Sequence, residues 1–352
     1  MYNLLGFNRK VMKTTIRDVA EAAGVSAMAV SAVLNGAGKN VKVGTEKAEQ
    51  IRQVARELRY QPNHLARSLR NRRTGMVAVV FQHFDRLGER HPYYPQLLNG
   101  VMGALFPADY TLALCPKLLL DGDAGSISDG RFDGVLWCRP DFDDASLEVI
   151  QNASVPVVMM HAPPGSVPGI PTFCADNEGA MRAVVRHLKG LGHERVAFVM
   201  DSVNSHTIEG RARRDALLSV ALAAGLAPDT LVWHDPRAEV GAYASPHPPH
   251  TALVCFSDTL AGQILSACQA AGVSVPRDVS VVGFDSSPFC ESTQPRLTSV
   301  HQPVESMARM ATTHLLTLIR EKSEGTPSSP TVSSIYDCGL DIRESTAPPR
   351  TH

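Results

Sequence analysis

The sequence predicts an α/β protein built from two parts: a small head of three short helices and a larger body of two similar α/β lobes. Apolar residues recur at helical spacing on both sides of Gly24 near the start of the chain. From Met76 onward, short apolar runs alternate with amphipathic segments, the pattern of parallel sheets joined by helices. With 352 residues, the chain is long enough for more than one domain.

Charge separates the same two parts. Residues 1–73 hold 14 Lys and Arg against 5 acids, a net charge of +9. The whole chain is at −1, so the remainder carries −10. A basic head on an acidic body predicts a module that binds a polyanion such as nucleic acid. The alternative is a solvated helical surface rich in Lys and Arg.

Composition excludes several classes of protein. The apolar runs are no longer than strands, so we expect no membrane-spanning segment and no membrane partner. The start of the chain lacks the pattern of a secretory signal, and seven scattered cysteines, an odd number, favour reduced thiols; we therefore expect a cytoplasmic protein. No G-x-S-x-G elbow, P-loop or metal-ligand cluster is seen, which predicts no catalytic residues, cofactor or metal.

The head reads as three helices around one core. Gly24 ends the first helix, and Ser26 is placed to cap the second. A third helix is expected over 45–59, before Pro62. The residues expected to face inward share a helical spacing: Ile16, Val19, Ala20, Ala23, Val30, Val33, Leu34, Ala48, Ile51, Val54, Ala55 and Leu58.

These segments resemble the DNA-binding head of the LacI/GalR family of bacterial transcription regulators. The resemblance rests on TIRDVAEAAGVSAMAVSAVLN and on ARELRYQPNHLARSLR. It implies a helix-turn-helix domain over 13–62 and a hinge helix with its linker over 63–74. It also implies a translation start at Met12-Lys13. Residues 1–12 are then expected to be a disordered extension, or residues 1–11 an artefact of the assigned start.

The family pattern also implies which residues meet DNA, and this chain departs from it at two positions. Ala29 replaces a usual Thr, and Ala32 replaces the Arg that reads guanine, so bidentate readout is absent there. Arg17 is expected to contact a base, with a phosphate-facing or solvated arginine as the alternative, and Leu69 matches a minor-groove wedge. The implied DNA contacts are Thr15, Arg17, Ser26, Ala27, Met28, Ser31, Ala32, Asn35, Asn63, Ala66 and Leu69.

The body, residues 75–352, resembles the type I periplasmic-binding-protein fold used as an effector domain. The matching segments include DGVLW, HLKGLGHERVAF, TALVCFSD and GVSVPRDVSVVGFD. By this resemblance the first lobe covers 75–174 and 300–322, and the second covers 175–298 and about 330–345. Residues 321–334 are rich in Ser, Pro and Gly, which predicts a loop.

The same resemblance implies which residues of this chain contact the effector. Tyr93 and Tyr94 match aromatics that suit a sugar ring or a base. Arg213 matches an arginine that grips hydroxyls or carboxylates, with Arg211 as the alternative. The implied effector-binding residues are Tyr93, Tyr94, Asp176, Arg213, Asp258 and Asp285. Asp176 and Asp285 have helix or turn capping as alternative roles, and His301 and Gln302 are expected to be structural.

The second lobe departs from the family between residues 241 and 251. Pro246, Pro248 and Pro249 exclude an ordinary helix where relatives have a longer one. His234, His247 and His250 lie near this segment, but without helical spacing they predict a surface loop rather than a metal site.

Together these features predict a homodimeric, ligand-responsive repressor that binds double-stranded operator DNA and a small-molecule effector, expected to be a sugar or sugar derivative. A nucleobase effector stays open. The rival interpretations are a solute-binding protein of a transport system, an enzyme on the same lobes, and a nucleoid-type protein with little sequence preference.

Overall fold

The computed structural model describes residues 14–35, 42–61, 73–81, 93–115, 127–138, 144–326 and 332–350. It separates into two compact units, one up to Thr74 and one from Gly75 onward. Each unit is described by itself. Within the described ranges, no helix is both long enough and apolar enough to cross a membrane.

The first unit, the head, contains the three helices that the sequence predicts. They are α1 (Ile16–Ala22), α2 (Ala27–Asn35) and α3 (Thr45–Glu57). The third helix ends two residues earlier than expected, because Arg59 takes a positive φ of 50° that an α-helix cannot contain. One core joins the helices through the buried side chains of Val19, Ala20, Ala23, Val30, Ile51 and Ala55.

Local signals set the ends of α1 and α2. Thr15 caps α1 in a capping box, because its side chain accepts from the N–H of Asp18 while Asp18 accepts from the N–H of Thr15. Gly24 has a φ of +62°, which confirms the expected turn. The hydroxyl of Ser26 accepts from the N–H of Ala29 at 3.2 Å, which confirms the predicted cap on α2.

The second unit, the body, alternates strands and helices along the chain. Its strands are β1 (Met76–Val80), β2 (Thr111–Leu114), β3 (Gly134–Trp137), β4 (Val157–Met160), β5 (Thr172–Ala175), β6 (Arg195–Asp201), β7 (Ala227–Trp233), β8 (Ala252–Cys255), β9 (Ser280–Asp285), β10 (Thr298–His301), β11 (Ser334–Tyr336) and β12 (Gly339–Asp341). Its helices are α4 (Tyr93–Leu105), α5 (Asp144–Gln151), α6 (Asn177–Gly190), α7 (Ile208–Ala223), α8 (Pro236–Glu239), α9 (Asp258–Ala271) and α10 (Val304–Glu324).

The strands form two six-stranded sheets, and each sheet is the centre of one lobe. The first sheet has the order β11-β5-β4-β3-β1-β2 and is parallel throughout. The second has the order β12-β10-β9-β8-β6-β7, and only β12 runs antiparallel to its neighbour. The predicted two-lobed α/β body is confirmed. Central strands such as β3, β4, β8 and β9 are buried along their whole length, as covered parallel sheets require.

The boundaries between the lobes differ from those predicted. Strand β10 pairs with β9, so the second lobe extends to His301 rather than to 298. Strand β11 pairs with β5, so residues 334–336 belong to the first lobe. Helix α10 continues to Glu324, where Gly325 ends it with a φ of +66°, so the predicted loop over 321–334 begins too early. Strand pairing is a long-range property that local composition does not encode.

Helices α4 and α10 pack closely in the first lobe. A Cβ on Gly100 would collide with the main-chain oxygen of Glu305 and lie 2.8 Å from the Cβ of Ala308. The absence of a side chain at residue 100 therefore permits this close approach.

The proline-containing segment of the second lobe is compact without a long helix. Helix α8 has four residues, a 3-10 turn follows at Val240–Ala244, and residues 245–250 have no regular helix, as the prolines predict. Tyr243 is buried against Trp233, and the Nε2 of His250 lies 3.2 Å from the Oδ2 of Asp229. Across the described ranges, no three His, Cys, Asp or Glu residues are grouped to hold a metal ion.

Candidate functional sites in the head and in the interlobe cleft

The solvent-facing side of α2 carries apolar side chains, namely two alanines and one methionine. Met28 is 67% exposed, Ala27 and Ala32 are half-buried, and Val30 is fully buried in the core. The side chain of Met28 therefore points away from the core, whereas that of Val30 packs into it. The side chain of Asn35, and all of Asn63, Ala66 and Leu69, lie outside the described residues.

The polar residues of the head fall into two groups. Thr15 and Arg17 are exposed at the start of α1, and Ser26 is exposed at the start of α2. Hydrogen bonds from the main-chain N–H and then the hydroxyl of Thr15 lower the pKa of Asp18, which keeps a negative charge at the positive end of α1. Ser31 is only 6% exposed, so the head itself covers most of the surface expected to face a phosphate.

Replacing Ala32 by Arg is expected to change the operator preference. An arginine on this face of α2 can donate two hydrogen bonds to a guanine edge, a discrimination of about 1–3 kcal/mol against other bases. The measurement is selection of bound sequences from a random DNA library, by wild type and by Ala32→Arg.

The control for this change is Ala22→Arg, which adds the same charge at an exposed position of α1. It is expected to strengthen binding to all sequences without changing which one is preferred. If Ala32→Arg selects the same operators as wild type, residue 32 does not face the bases.

In the body, polar residues from both lobes meet where the parallel strands end. His161 follows β4, Asp285 ends β9 and Gln302 follows β10. Tyr93 and Asn177 begin helices α4 and α6, while Glu209 and Arg213 lie one turn apart on α7. The cleft group is the set Tyr93, His161, Asn177, Glu209, Arg213, Asp285 and Gln302. The carboxyl ends of parallel strands are where open α/β sheets bind ligands.

Arg213 is held by three kinds of contact. Its Nη2 donates to the Oε1 of Glu209 at 2.9 Å, and its Nη1 donates to the carbonyl of Phe256 at 2.7 Å. Its guanidinium carbon lies 3.7 Å from the centre of the Phe284 ring. The side chains of Arg213 and Glu209 are 4% and 3% exposed. Arg211 is exposed and donates to the carbonyl of His206, so the geometry favours Arg213 of the two alternatives.

Four buried polar atoms in the cleft group have no hydrogen-bond partner within the described protein. These atoms are Asn177 Oδ1, Glu209 Oε2, Arg213 Nε and Gln302 Oε1. A buried polar group without a partner costs about 1–3 kcal/mol. Such a concentration at one place is expected where a polar ligand completes the hydrogen bonds.

Asp285 is buried beside these atoms. It is 7% exposed, and the Nε2 of Gln302 donates to its Oδ1 at 2.5 Å. Burial raises its pKa well above the usual range, and the charge of Asp258 raises it further, while Arg213 opposes the shift.

Tyr93 and His161 form a neutral pair in the same cleft. The hydroxyl of Tyr93 is hydrogen-bonded to the Nε2 of His161. Burial raises the pKa of Tyr93, and the charges of Asp285 and Glu209 add to this effect, so groups from the two lobes face each other. Burial lowers the pKa of His161 to about 4, which leaves the imidazole uncharged at neutral pH. Tyr94 packs edge-on against Phe81 and Tyr93.

Asp258, which the family resemblance implies as an effector contact, is instead hydrogen-bonded within the second lobe. It is fully buried, and its Oδ2 accepts from the N–H and the hydroxyl of Ser287, both at 2.8 Å. Its Oδ1 accepts from the hydroxyl of Ser299 at 2.5 Å. Both oxygens are used inside the second lobe, so Asp258 positions the turn that follows Asp285.

Asp176 takes its alternative role in this structure. It caps α6, because its Oδ1 accepts from the N–H of Gly179 at 2.9 Å. The side chain is half-buried, at the point where the chain crosses from the first lobe to the second.

Four members of the cleft group were not predicted as effector contacts from the sequence. Glu209 lies four residues before Arg213, a spacing that places both side chains on one face of a helix and offers a usable signal. His161 follows the apolar run of β4, where a polar residue marks the end of a strand. Asn177 has no comparable signal, and Gln302 was assigned a structural role.

Comparisons with known proteins agree with this architecture. Residues 15–63 match the family model described as "Bacterial regulatory proteins, lacI family", and residues 185–346 match "Periplasmic binding protein-like domain". The chain is 30% identical over 345 residues to the HTH-type transcriptional regulator CelR of Thermobifida fusca, covering 95% of this chain and 98% of the relative. It is 28% identical over 311 residues to the HTH-type transcriptional regulator DegA of Bacillus subtilis, covering 84% and 88%.

Solved structures show the same fold. A complex of the transcriptional regulator CelR with cellobiose superposes with a TM-score of 0.66 at 28% identity, covering 94% of this chain and 99% of that one. The lac repressor dimer bound to operator and the anti-inducer ONPF superposes with a TM-score of 0.78 at 20% identity, covering 95% and 99%. The chain, with a helix-turn-helix head and a two-lobed α/β body, belongs to the lacI family of bacterial transcriptional regulators and is a DNA-binding regulator, not an enzyme.

Proposed function

We propose that this regulator is a homodimeric repressor whose interlobe cleft binds a sugar or sugar derivative. The proposal rests on the buried polar atoms of the cleft group that have no hydrogen-bond partner within the described protein. A polyhydroxy molecule donates and accepts several hydrogen bonds at once, as this set requires. The solved complex of a transcriptional regulator CelR with cellobiose, which has the same fold, adds support for a carbohydrate.

The proposal divides the chain by role. Residues 13–62 bind operator DNA, residues 63–74 act as the hinge, and residues 75–352 bind the effector and form the dimer. An effector that contacts both lobes favours one arrangement of the lobes over another. That preference changes the affinity of the head for operator DNA, which is a coupling free energy between two sites.

A thermal-shift panel on the full chain tests the proposed effector class. Neutral mono- and disaccharides, cellobiose included, are compared with adenine and guanine under one buffer. A ligand at 100 times its dissociation constant stabilises the folded protein by about 2.7 kcal/mol, so a binding sugar is expected to raise the melting temperature by several degrees. Stabilisation by a nucleobase and by no sugar would overturn the proposal.

A second experiment tests whether the sugars that bind also affect DNA binding. A sugar that raises the melting temperature is expected to change the affinity of the full chain for operator DNA, measured by fluorescence anisotropy. A sugar that binds without any effect on operator affinity would contradict the coupling between cleft and head.

A further inference from the structure

We propose that Glu209 makes the cleft select uncharged effectors and reject phosphorylated or carboxylated ones, by neutralising Arg213. This inference rests on the proposed effector site and specifies the charge class of its ligand.

The guanidinium of Arg213 is already engaged by the protein. Nη2 is bound to Glu209 and Nη1 is bound to the carbonyl of Phe256. Arginine recognises carboxylates and phosphates through two parallel N–H donors. Both Nη atoms already donate to the protein, and Nε is the one guanidinium nitrogen without a partner among the described residues, so an anion would have to share these donors with Glu209 and with the carbonyl of Phe256.

The unpaired atoms of the cleft group are mostly acceptors. Asn177 Oδ1, Glu209 Oε2 and Gln302 Oε1 accept hydrogen bonds, and Arg213 Nε alone donates. The amide orientations are set by neighbours, because Asn177 Nδ2 donates to Glu209 at 3.4 Å and Gln302 Nε2 donates to Asp285. A ligand must therefore bring donors. Hydroxyl groups do so, whereas a carboxylate or a phosphate dianion brings only acceptors.

Charge leads to the same preference. The negative charge of Glu209 balances that of Arg213 within a pair that is almost completely buried. An anion placed beside this pair also faces Asp285, which adds a negative charge when ionised and none when protonated. In neither state does this group of described residues provide an uncompensated cation, and an unpaired charge is expensive to bury.

The test uses Glu209→Gln in the full chain, with inorganic phosphate as the probe. Glutamine keeps the shape and an acceptor oxygen but removes the charge, so Arg213 becomes an unpaired buried cation. The matched control is Glu178→Gln, which breaks an equally spaced pair with Arg182 whose side chains are 63% and 56% exposed. Melting temperatures are measured against phosphate concentration, with sodium chloride adjusted to hold the ionic strength constant.

The expected result is a saturable stabilisation by phosphate that appears in Glu209→Gln and is absent in wild type and in Glu178→Gln. Wild type and Glu178→Gln are expected to show no saturable response even at about ten times the phosphate concentration that half-saturates Glu209→Gln, as a change of one paired charge implies. Equal responses in Glu209→Gln and Glu178→Gln would overturn the inference. So would saturable binding of phosphate by wild type.

If Glu209→Gln does not fold, the inference can still be tested with wild type, by comparing neutral sugars with anionic derivatives of the same sugars. Cellobiose is compared with cellobionate, and glucose with glucose 6-phosphate, by isothermal titration calorimetry. Wild type is expected not to bind either anionic member, and tighter binding of an anionic member than of its neutral partner would overturn the inference. Failure of every neutral sugar in the thermal-shift panel counts against the proposed effector, whereas the phosphate response tests Glu209 independently.

Discussion

A fragment that begins at Gly75 is expected to lose operator binding and to keep its response to the effector. The compact unit from Gly75 onward contains both sheets and the whole cleft group, so the fragment keeps what folding and effector binding need. The part removed carries the net charge of +9, and the remaining chain carries −10. Electrostatic attraction to the phosphates of DNA supplies the non-specific part of binding, and it is lost together with the recognition helix.

The loss of operator affinity should be large. Specific binding is typically 10³–10⁷ tighter than non-specific binding, and an acidic fragment is expected to fall below even the non-specific level. The measurement is fluorescence anisotropy with labelled operator DNA at one salt concentration. Full-length protein is the positive control, and the effector-induced rise in melting temperature shows that the fragment is folded. A fragment that still distinguished operator from random DNA would show that the head does not recognise the operator sequence.

Replacing Arg213 by Ala is expected to abolish the effector response and to destabilise the body. The change leaves the carboxylate of Glu209 buried without its cation, and it leaves the carbonyl of Phe256 without a donor. Breaking one side of a buried ion pair typically costs about 3–5 kcal/mol. Urea unfolding measures this cost, and titration with the stabilising sugar measures the loss of binding.

A double variant separates the two effects of Arg213. Arg213→Met together with Glu209→Gln removes both charges, so it is expected to recover much of the stability, because a buried ion pair can often be replaced by neutral groups at little cost. Effector binding should stay lost, because Nε of Arg213 is gone. The control is Arg211→Ala, an exposed arginine on the same helix that is expected to leave both properties unchanged. Normal effector binding by the double variant would exclude Arg213 from the site.

The head was predictable from the sequence because its signals are local. Helical spacing, the turn at Gly24 and the cap at Ser26 each act within a few residues, and the structure has all three where the sequence places them. The alternation of strands and helices in the body is equally local. Strand β7 has the weakest local signal, because it is an edge strand of mixed burial with Pro228, Asp229 and Thr230 in its first half.

The assignment of strands to lobes was not predictable in the same way. Strands β10 and β11 are short segments of ordinary composition, and the sheet that each joins depends on residues more than ten positions away. A strand forms its sheet hydrogen bonds with the backbone N–H and C=O groups of another segment, which are the same for nearly every residue type. The local sequence of a strand therefore does not indicate which strand it pairs with.

The sequence by itself determined that this protein has a basic three-helix head and an acidic two-lobed α/β body, and the family resemblance pointed to acids and an arginine in the body as effector contacts. Only the tertiary structure decided what those groups do. Asp258 and Asp285 look alike in the sequence, yet Ser287 and Ser299 use both oxygens of Asp258, whereas Asp285 lies in the cleft beside Gln302. Packing likewise pairs Arg213 with Glu209. The chemistry of a buried side chain depends on the atoms that surround it, and folding brings those atoms from distant parts of the chain.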